Sequence, residues 1–275
     1  MSLDTNLHGR LRNTTLPASN GLLPLFEAIV NSIHGIEDAG LSAEKGRIVV
    51  QVIRDGQMEL DFGAGSKQPE AENKGDIKGD IIGFKVTDNG IGFNDANMKS
   101  FMTLDSEYKA SRGGRGVGRL LWLKAFKCAT VESIYETDNT ACKSRSFTFD
   151  ARQGISEPDV VDVPEDERLT TVHLSGFVKR YRDASPKTAR VIAKNLLEHC
   201  LWYFVRPGGA PKMEIKDDEE RISLDDVYEE QMLSRAARES MNLKDNEFQL
   251  IHIKLSASST RNHSIAYCAA NRLVI

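Results

Sequence analysis

No stretch of this chain approaches the run of roughly 18 apolar residues that a membrane-spanning helix needs, and the opening MSLDTNLHGR carries no signal-peptide core. A cytoplasmic protein without membrane partners is expected. Cysteine is scarce as well. Cys128, Cys142, Cys200 and Cys268 are scattered, with no CxxC pair and no histidine at a metal-ligand spacing, so a zinc site is disfavoured and the four read as reduced core thiols. Neither sign of charge dominates. The 36 Lys and Arg against 40 Asp and Glu leave −4 at pH 7, which gives no global attraction to nucleic acid or membrane. Lys179, Arg180, Arg182 and Lys187 form only a modest basic cluster, equally readable as a solvated helix start. There is no GxxxxGK[ST], which excludes a P-loop, and no internal repeat.

What is present is an average globular composition, 28% charged and 40% hydrophobic over 275 residues, enough for one large α/β domain or one and a half ordinary ones. Pro24 suits a first helical turn, and Phe26, Ile29, Val30, Ile33 and Ile36 recur at helical spacing until Gly40 closes the segment. Strands are expected at 47–54, 57–62, 81–88, 128–136, 144–150 and 170–177, with a polar loop after the second. A short helix near 95–104 and another over 119–127 flank a glycine-rich stretch at 113–118. Residues 151–168 read as an acidic connector. A single long helix, capped by Ser185 and opened by Pro186, is expected to run to about Val205. A hairpin over 212–224, a helix over 225–241 and two final strands follow, and the chain is expected to stop inside a second domain. This mixed order points to helices packed on a sheet.

Three constellations carry chemistry. On the first helix Glu27, Asn31, His34 and Asp38 fall at i, i+4, i+7 and i+11 and share one face, beside Ala28, Ser32, Gly35 and Ala39. A solvated face is the plain reading. A carboxylate next to a carboxamide also suits a general base beside an oxygen ligand for a hard cation. In KVTDNGIGF, period-2 alternation puts Asp88 on the face of Ile82, Phe84 and Val86. Asn89-Gly90 is by itself a strong hairpin signal. A buried carboxylate nevertheless needs donors, and a purine exocyclic amine would be one, with Gly90 and Gly92 leaving room for a flat base. The third piece, GGRGVGRLLWLKAF, runs a glycine cluster into an apolar helix, a backbone anion site or else a surface loop. Its GxGxG spacing is not the dinucleotide fingerprint.

In this order EAIVNS, DNGIGF and GGRGVGRL resemble the first three motifs of the GHKL ATPases, the family of gyrase B, the heat-shock chaperone ATPase, MutL and the histidine kinases. LTTVHLSGF is similar to the family's Gly-Thr strand, with Leu169 where the glycine usually stands. The resemblance spans residue 22 to about 206 and implies a Bergerat-type two-layer α/β sandwich, a mixed sheet with ATP held between loops and helices. By that resemblance Glu27 is the catalytic base and Asn31 the Mg2+ ligand. Asp88 takes the adenine amine, Gly90, Ile91 and Gly92 line the base, and Thr170 supports it. Lys109, Gly114, Arg115, Gly116, Val117 and Gly118 then surround the phosphates as part of a mobile lid, with Arg112 a further cation there.

ATP and Mg2+ are thus the implied cofactors, and an ATP-driven switch or homodimer the implied outcome. The layout is most similar to the MutL N-terminal region: an arm over 1–20, an ATP-binding domain over 21–224 and the start of a transducer-like domain over 225–275. His34 stands where the hydrolysing branches usually carry aspartate, and the kinases often carry Lys or His. The kinases usually have asparagine at the position of Glu27 and a phosphoacceptor helix pair upstream, for which about 20 residues are too few. Hydrolysis is therefore expected over phosphotransfer, with a non-hydrolysing nucleotide-binding module as the alternative.

Overall fold

The computed structural model describes residues 6–56, 79–103, 118–137, 141–164, 167–231, 237–243, 246–252, 267–269 and 272–274. The expected strand at 57–62 and most of the glycine-rich stretch lie outside these residues.

The chain opens with α1 (Leu7–Asn13), whose N-cap Asn6 accepts from Gly9 N at 3.0 Å. The helix α2 (Leu23–Asp38) starts with proline in its first turn, as expected, and buries Leu25, Ile29, Ile33 and Ile36. Then come β1 (Arg47–Arg54) and β2 (Ile81–Asp88), followed by α3 (Asp95–Met102), α4 (Gly118–Ala125), β3 (Phe126–Glu136) and β4 (Cys142–Asp150). Short strands β5 (Gly154–Ile155) and β6 (Asp159–Val163) lead to β7 (Leu169–Phe177). After α5 (Lys179–Ala184) and α6 (Ala189–Val205) the chain forms β8 (Lys212–Asp217), β9 (Glu220–Ser223) and α7 (Leu224–Gln231). Two separate two-stranded sheets close the described residues: β10 (Ala237–Leu243) with β11 (Asn246–His252), and β12 (Tyr267–Ala269) with β13 (Arg272–Val274).

The main sheet has nine strands in the order β5-β4-β3-β7-β2-β1-β8-β9, with β6 also on β4. Only the β1–β8 pairing is parallel among those described, so the sheet is mixed, in agreement with the expected α/β sandwich. One face is apolar and covered by helices. Phe126 and Phe177, cross-strand partners, stack at 4.7 Å, and Phe84 meets both edge-on. The opposite face carries Lys85, Thr130, Glu132, Thr171 and His173 around a shallow depression.

Four expectations are corrected. The helix expected from Pro186 to about Val205 begins later, at Ala189 with Thr188 as its N-cap, and a further helix, α5, precedes it, because Ser185 stands before proline and is driven to an extended conformation (φ −94°, ψ 154°). Ser185 is instead the C-cap of α5, donating its hydroxyl to Tyr181 O at 2.8 Å, and does not cap the start of α6. The acidic connector contains β5 and β6. The helix expected over 225–241 stops at Gln231, and 237–243 pair as β10 with β11. Finally, Asn89-Gly90 turns no hairpin: β2 lies between β1 and β7.

Candidate functional site

The alternation of β2 delivers Asp88, buried, to the end of the strand beneath α2. Its carboxylate is held from two directions. Ser32 of α2 donates its hydroxyl to Oδ2 at 2.7 Å, and the backbone N–H of Gly90 donates to Oδ1 at 2.9 Å. These donors offset the cost of burying a carboxylate there.

The helix comes close because the loop meets it with glycine at position 90. A Cβ on Gly90 would stand 2.6 Å from the carbonyl carbon of Gly35 and 2.8 Å from Ile36 N, while Ile91 N donates to Gly35 O at 2.9 Å. Gly92 has φ +77°, and a Cβ there would meet Ser133 Oγ at 2.7 Å. The absence of side chains at 90 and 92 therefore already follows from how the loop seats against α2 and β3, a reason different from room for a ring.

The loop is clamped on both flanks. Asn89 accepts from Arg47 N at 2.8 Å and donates to Lys45 O at 2.9 Å, fixing it to the entry of β1. Ser133 Oγ accepts from Phe93 N at 2.9 Å and lies 2.9 Å from Thr170 Oγ1. Thr170 is buried and sits directly across the sheet from both Asp88 and Ser133. Asn97 donates to Gly92 O at 2.7 Å, and Arg145 donates to Phe93 O and to Asp95 Oδ1, each at 2.5 Å, with its guanidinium over the Tyr135 ring.

Glu27 is half-buried at the other end of the site, where a Cβ on Gly118 would come within 2.6 Å of its Oε2. The first residue of α4 is thus in contact range of the α2 carboxylate. Asn31, one turn further along α2, is exposed. Arg119 turns away from this face, donating to Ser100 O at 3.1 Å and Thr103 O at 2.5 Å and lying over Phe101.

Of the residues singled out in the sequence, Glu27, Asn31, Asp88, Gly90, Ile91, Gly92, Gly118 and Thr170 are described and gather along α2 and the end of β2. Lys109, Gly114, Arg115, Gly116 and Val117 lie outside the described residues. His34 is a correction: it is on the α2 stripe but buried under α6, with Nε2 3.0 Å from Tyr203 Oη. One helical stripe passes through two environments, and only its first half faces the site. Ser32 and Ser133 were not singled out as site residues. Ser32 could have been found, since it is one of the small residues beside Asn31; nothing local marks Ser133.

The chain is, in class, a mixed α/β sandwich with a buried carboxylate where its helical layer meets a strand end. No family model and no curated protein matches the sequence. Among solved structures it is similar to the 43K ATPase domain of Thermus thermophilus gyrase B in complex with an aminocoumarin, at 15% identity and TM-score 0.47. That match covers 85% of this chain and 57% of the other. It is also similar to the ATPase region of Saccharomyces cerevisiae topoisomerase II, at 14% identity and TM-score 0.42, covering 74% of this chain and 49% of that one. The chain thus spans about half the length of each.

Proposed function

We propose that this chain binds ATP at the α2–β2 junction and hydrolyses it with Mg2+, coupling nucleotide state to a conformational or dimerisation switch. The observation that carries the reading is the Asp88 carboxylate, oriented by the Gly90 amide and by Ser32, which lies on the same helix that presents Glu27 and Asn31. A fixed buried acceptor suits an exocyclic amine of a purine.

The donor set fits magnesium. Mg2+ keeps most of its water and takes one or two protein oxygens together with substrate phosphates, and Asn31 offers one exposed amide oxygen. Among the described residues no cluster of three or more His, Cys, Asp or Glu builds an all-protein cage. When bound, the ion supplies charge neutralisation for the phosphates.

Glu27 acts on water. Its carboxylate orients a water molecule and takes its proton as the oxygen bonds to the γ-phosphorus, and the bond from that phosphorus to the bridging oxygen of ADP breaks. Gly118, at the start of α4, leaves room for that carboxylate, because a Cβ there would stand 2.6 Å from Glu27 Oε2. Ser133 and Thr170 keep the loop after Asp88 in register with the sheet.

The test is phosphate release by the purified chain and by Glu27→Gln. Turnover in the first and its loss in the second, with ATP binding retained, supports the assignment. Equal release from both removes Glu27 from the mechanism, and binding without release from either leaves a nucleotide-binding module.

A further inference from the structure

The sheet extends past its helical cover at β6, a five-residue strand paired only to β4 among the described residues. Its two central side chains point to opposite faces and both are open to solvent: Val160 is 41% and Val161 49% exposed. Val161 lies opposite Ser144, Ser144 opposite Ile134, and Ile134 opposite Leu169, which is itself 46% exposed. On the open face of the sheet the edge valine is thus separated by Ser144 from a further apolar pair, Ile134 and Leu169.

A strand edge of this kind is a template for another strand unless something restricts it. Here two things do. Pro158 and Pro164 bound β6 on either side, limiting the edge to its five residues. Acid also dominates the sequence here: residues 157–168 hold Glu157, Asp159, Asp162, Glu165, Asp166 and Glu167 against a single Arg168. A second copy pairing antiparallel to β6 would set Asp159 and Asp162 opposite each other or opposite valines, which is unfavourable in either register. The neighbouring Lys143 answers only one of them, at 3.8 Å from Asp162.

We propose that β6 is a docking edge for an extended polypeptide segment in which two adjacent apolar residues lie between lysines or arginines, so that each face of the added strand carries both kinds of side chain. Main-chain hydrogen bonds to β6 supply the pairing, the valines take the partner's apolar side chains, and Asp159 and Asp162 select basic ones. This edge is independent of the α2–β2 site and of any nucleotide there.

The probe is a fluorescently labelled short peptide built on Lys-Val-Val-Lys, titrated into the whole chain with anisotropy as the readout. The same peptide with serine in place of valine, and with glutamate in place of lysine, are the controls. We expect saturable binding of the first, at least tenfold weaker binding of both controls, and slowed amide exchange at residues 159–163. The double variant D159N/D162N keeps the apolar edge and is expected to bind several-fold more weakly with a shallower salt dependence. Three results overturn the proposal: no binding of the lysine–valine peptide, equal binding of the lysine–serine peptide, or protection outside β6. Concentration-dependent self-association abolished by Val161→Asp also overturns it, by making a second copy the occupant.

Discussion

Ser32 Oγ stands 2.7 Å from Asp88 Oδ2, a bond that crosses 56 residues of sequence to join α2 to the end of β2. It ties the orientation of the buried carboxylate to the position of the helix that carries Glu27 and Asn31. Ser32→Ala removes that hydroxyl. The expected loss is about 1 kcal/mol, a net buried hydrogen bond, or roughly fivefold in ATP affinity by calorimetry. An unchanged affinity would show that the Gly90 amide and the strand alone set the carboxylate.

Gly118 and Glu27 make a sharper separation of activity from stability. Alanine is a better helix former than glycine, so Gly118→Ala at the first residue of α4 should leave thermal stability unchanged or slightly raised. The new Cβ would meet Glu27 Oε2 at 2.6 Å and displace it. Turnover should fall on the order of 10- to 100-fold, because small misplacements of a catalytic group are costly. Full activity in Gly118→Ala would mean that Glu27 has no fixed station in the reaction.

Away from the site, Arg54 and Asp217 form a buried bidentate pair, Nε to Oδ1 at 2.7 Å and one guanidinium NH2 to Oδ2 at 2.8 Å. The same guanidinium donates to Gly79 O at 2.7 Å and Lys187 O at 2.8 Å, so β1, β8 and the α5–α6 connection meet on one cation. The Asp217 bond holds the Arg54 pKa above its ordinary value despite burial, so the pair stays charged. Asp217→Ala leaves a buried guanidinium without its carboxylate. It should cost about 3 to 5 kcal/mol in urea unfolding, and R54M/D217L together should cost far less.

Stability should also depend on pH through His173. Burial, with Lys85 alongside, pushes its imidazole below the ordinary 6.5, and Glu132 only partly opposes this. In the window at and below pH 6.5 the unfolded chain therefore binds more protons than the folded one. Stability is fully present above that value and declines as pH falls through the folded pKa. His173→Gln should flatten this part of the urea-midpoint profile; an identical slope in the variant would assign the dependence to other groups.

Much of this was legible in sequence where local pattern and tertiary need coincide. The alternation of β1 and β2 and the helical spacing of α2 each have one face to bury, so both periods survive in the fold. Asp88 was legible for the same reason: a carboxylate in phase with Phe84 and Val86 must enter the interior. Other features were set by partners remote in sequence. Nothing local tells Asp159–Val163 that β4 has a vacant edge, and the acidic composition there reads as a connector. The residues 237–243 take a strand because β11 pairs with them, overriding helical preference. His34 shares its stripe with Asn31, yet α6 covers it and not Asn31. Ser133 gains its role only when β3, β7 and the loop after β2 converge.

Isothermal titration of the whole chain with ATP and magnesium, repeated on Asp88→Asn, tests the central claim most directly. The account predicts one site per chain in the first and loss of measurable binding in the second, since an amide places a donor where the purine amine requires an acceptor. Undiminished binding in Asp88→Asn would contradict it.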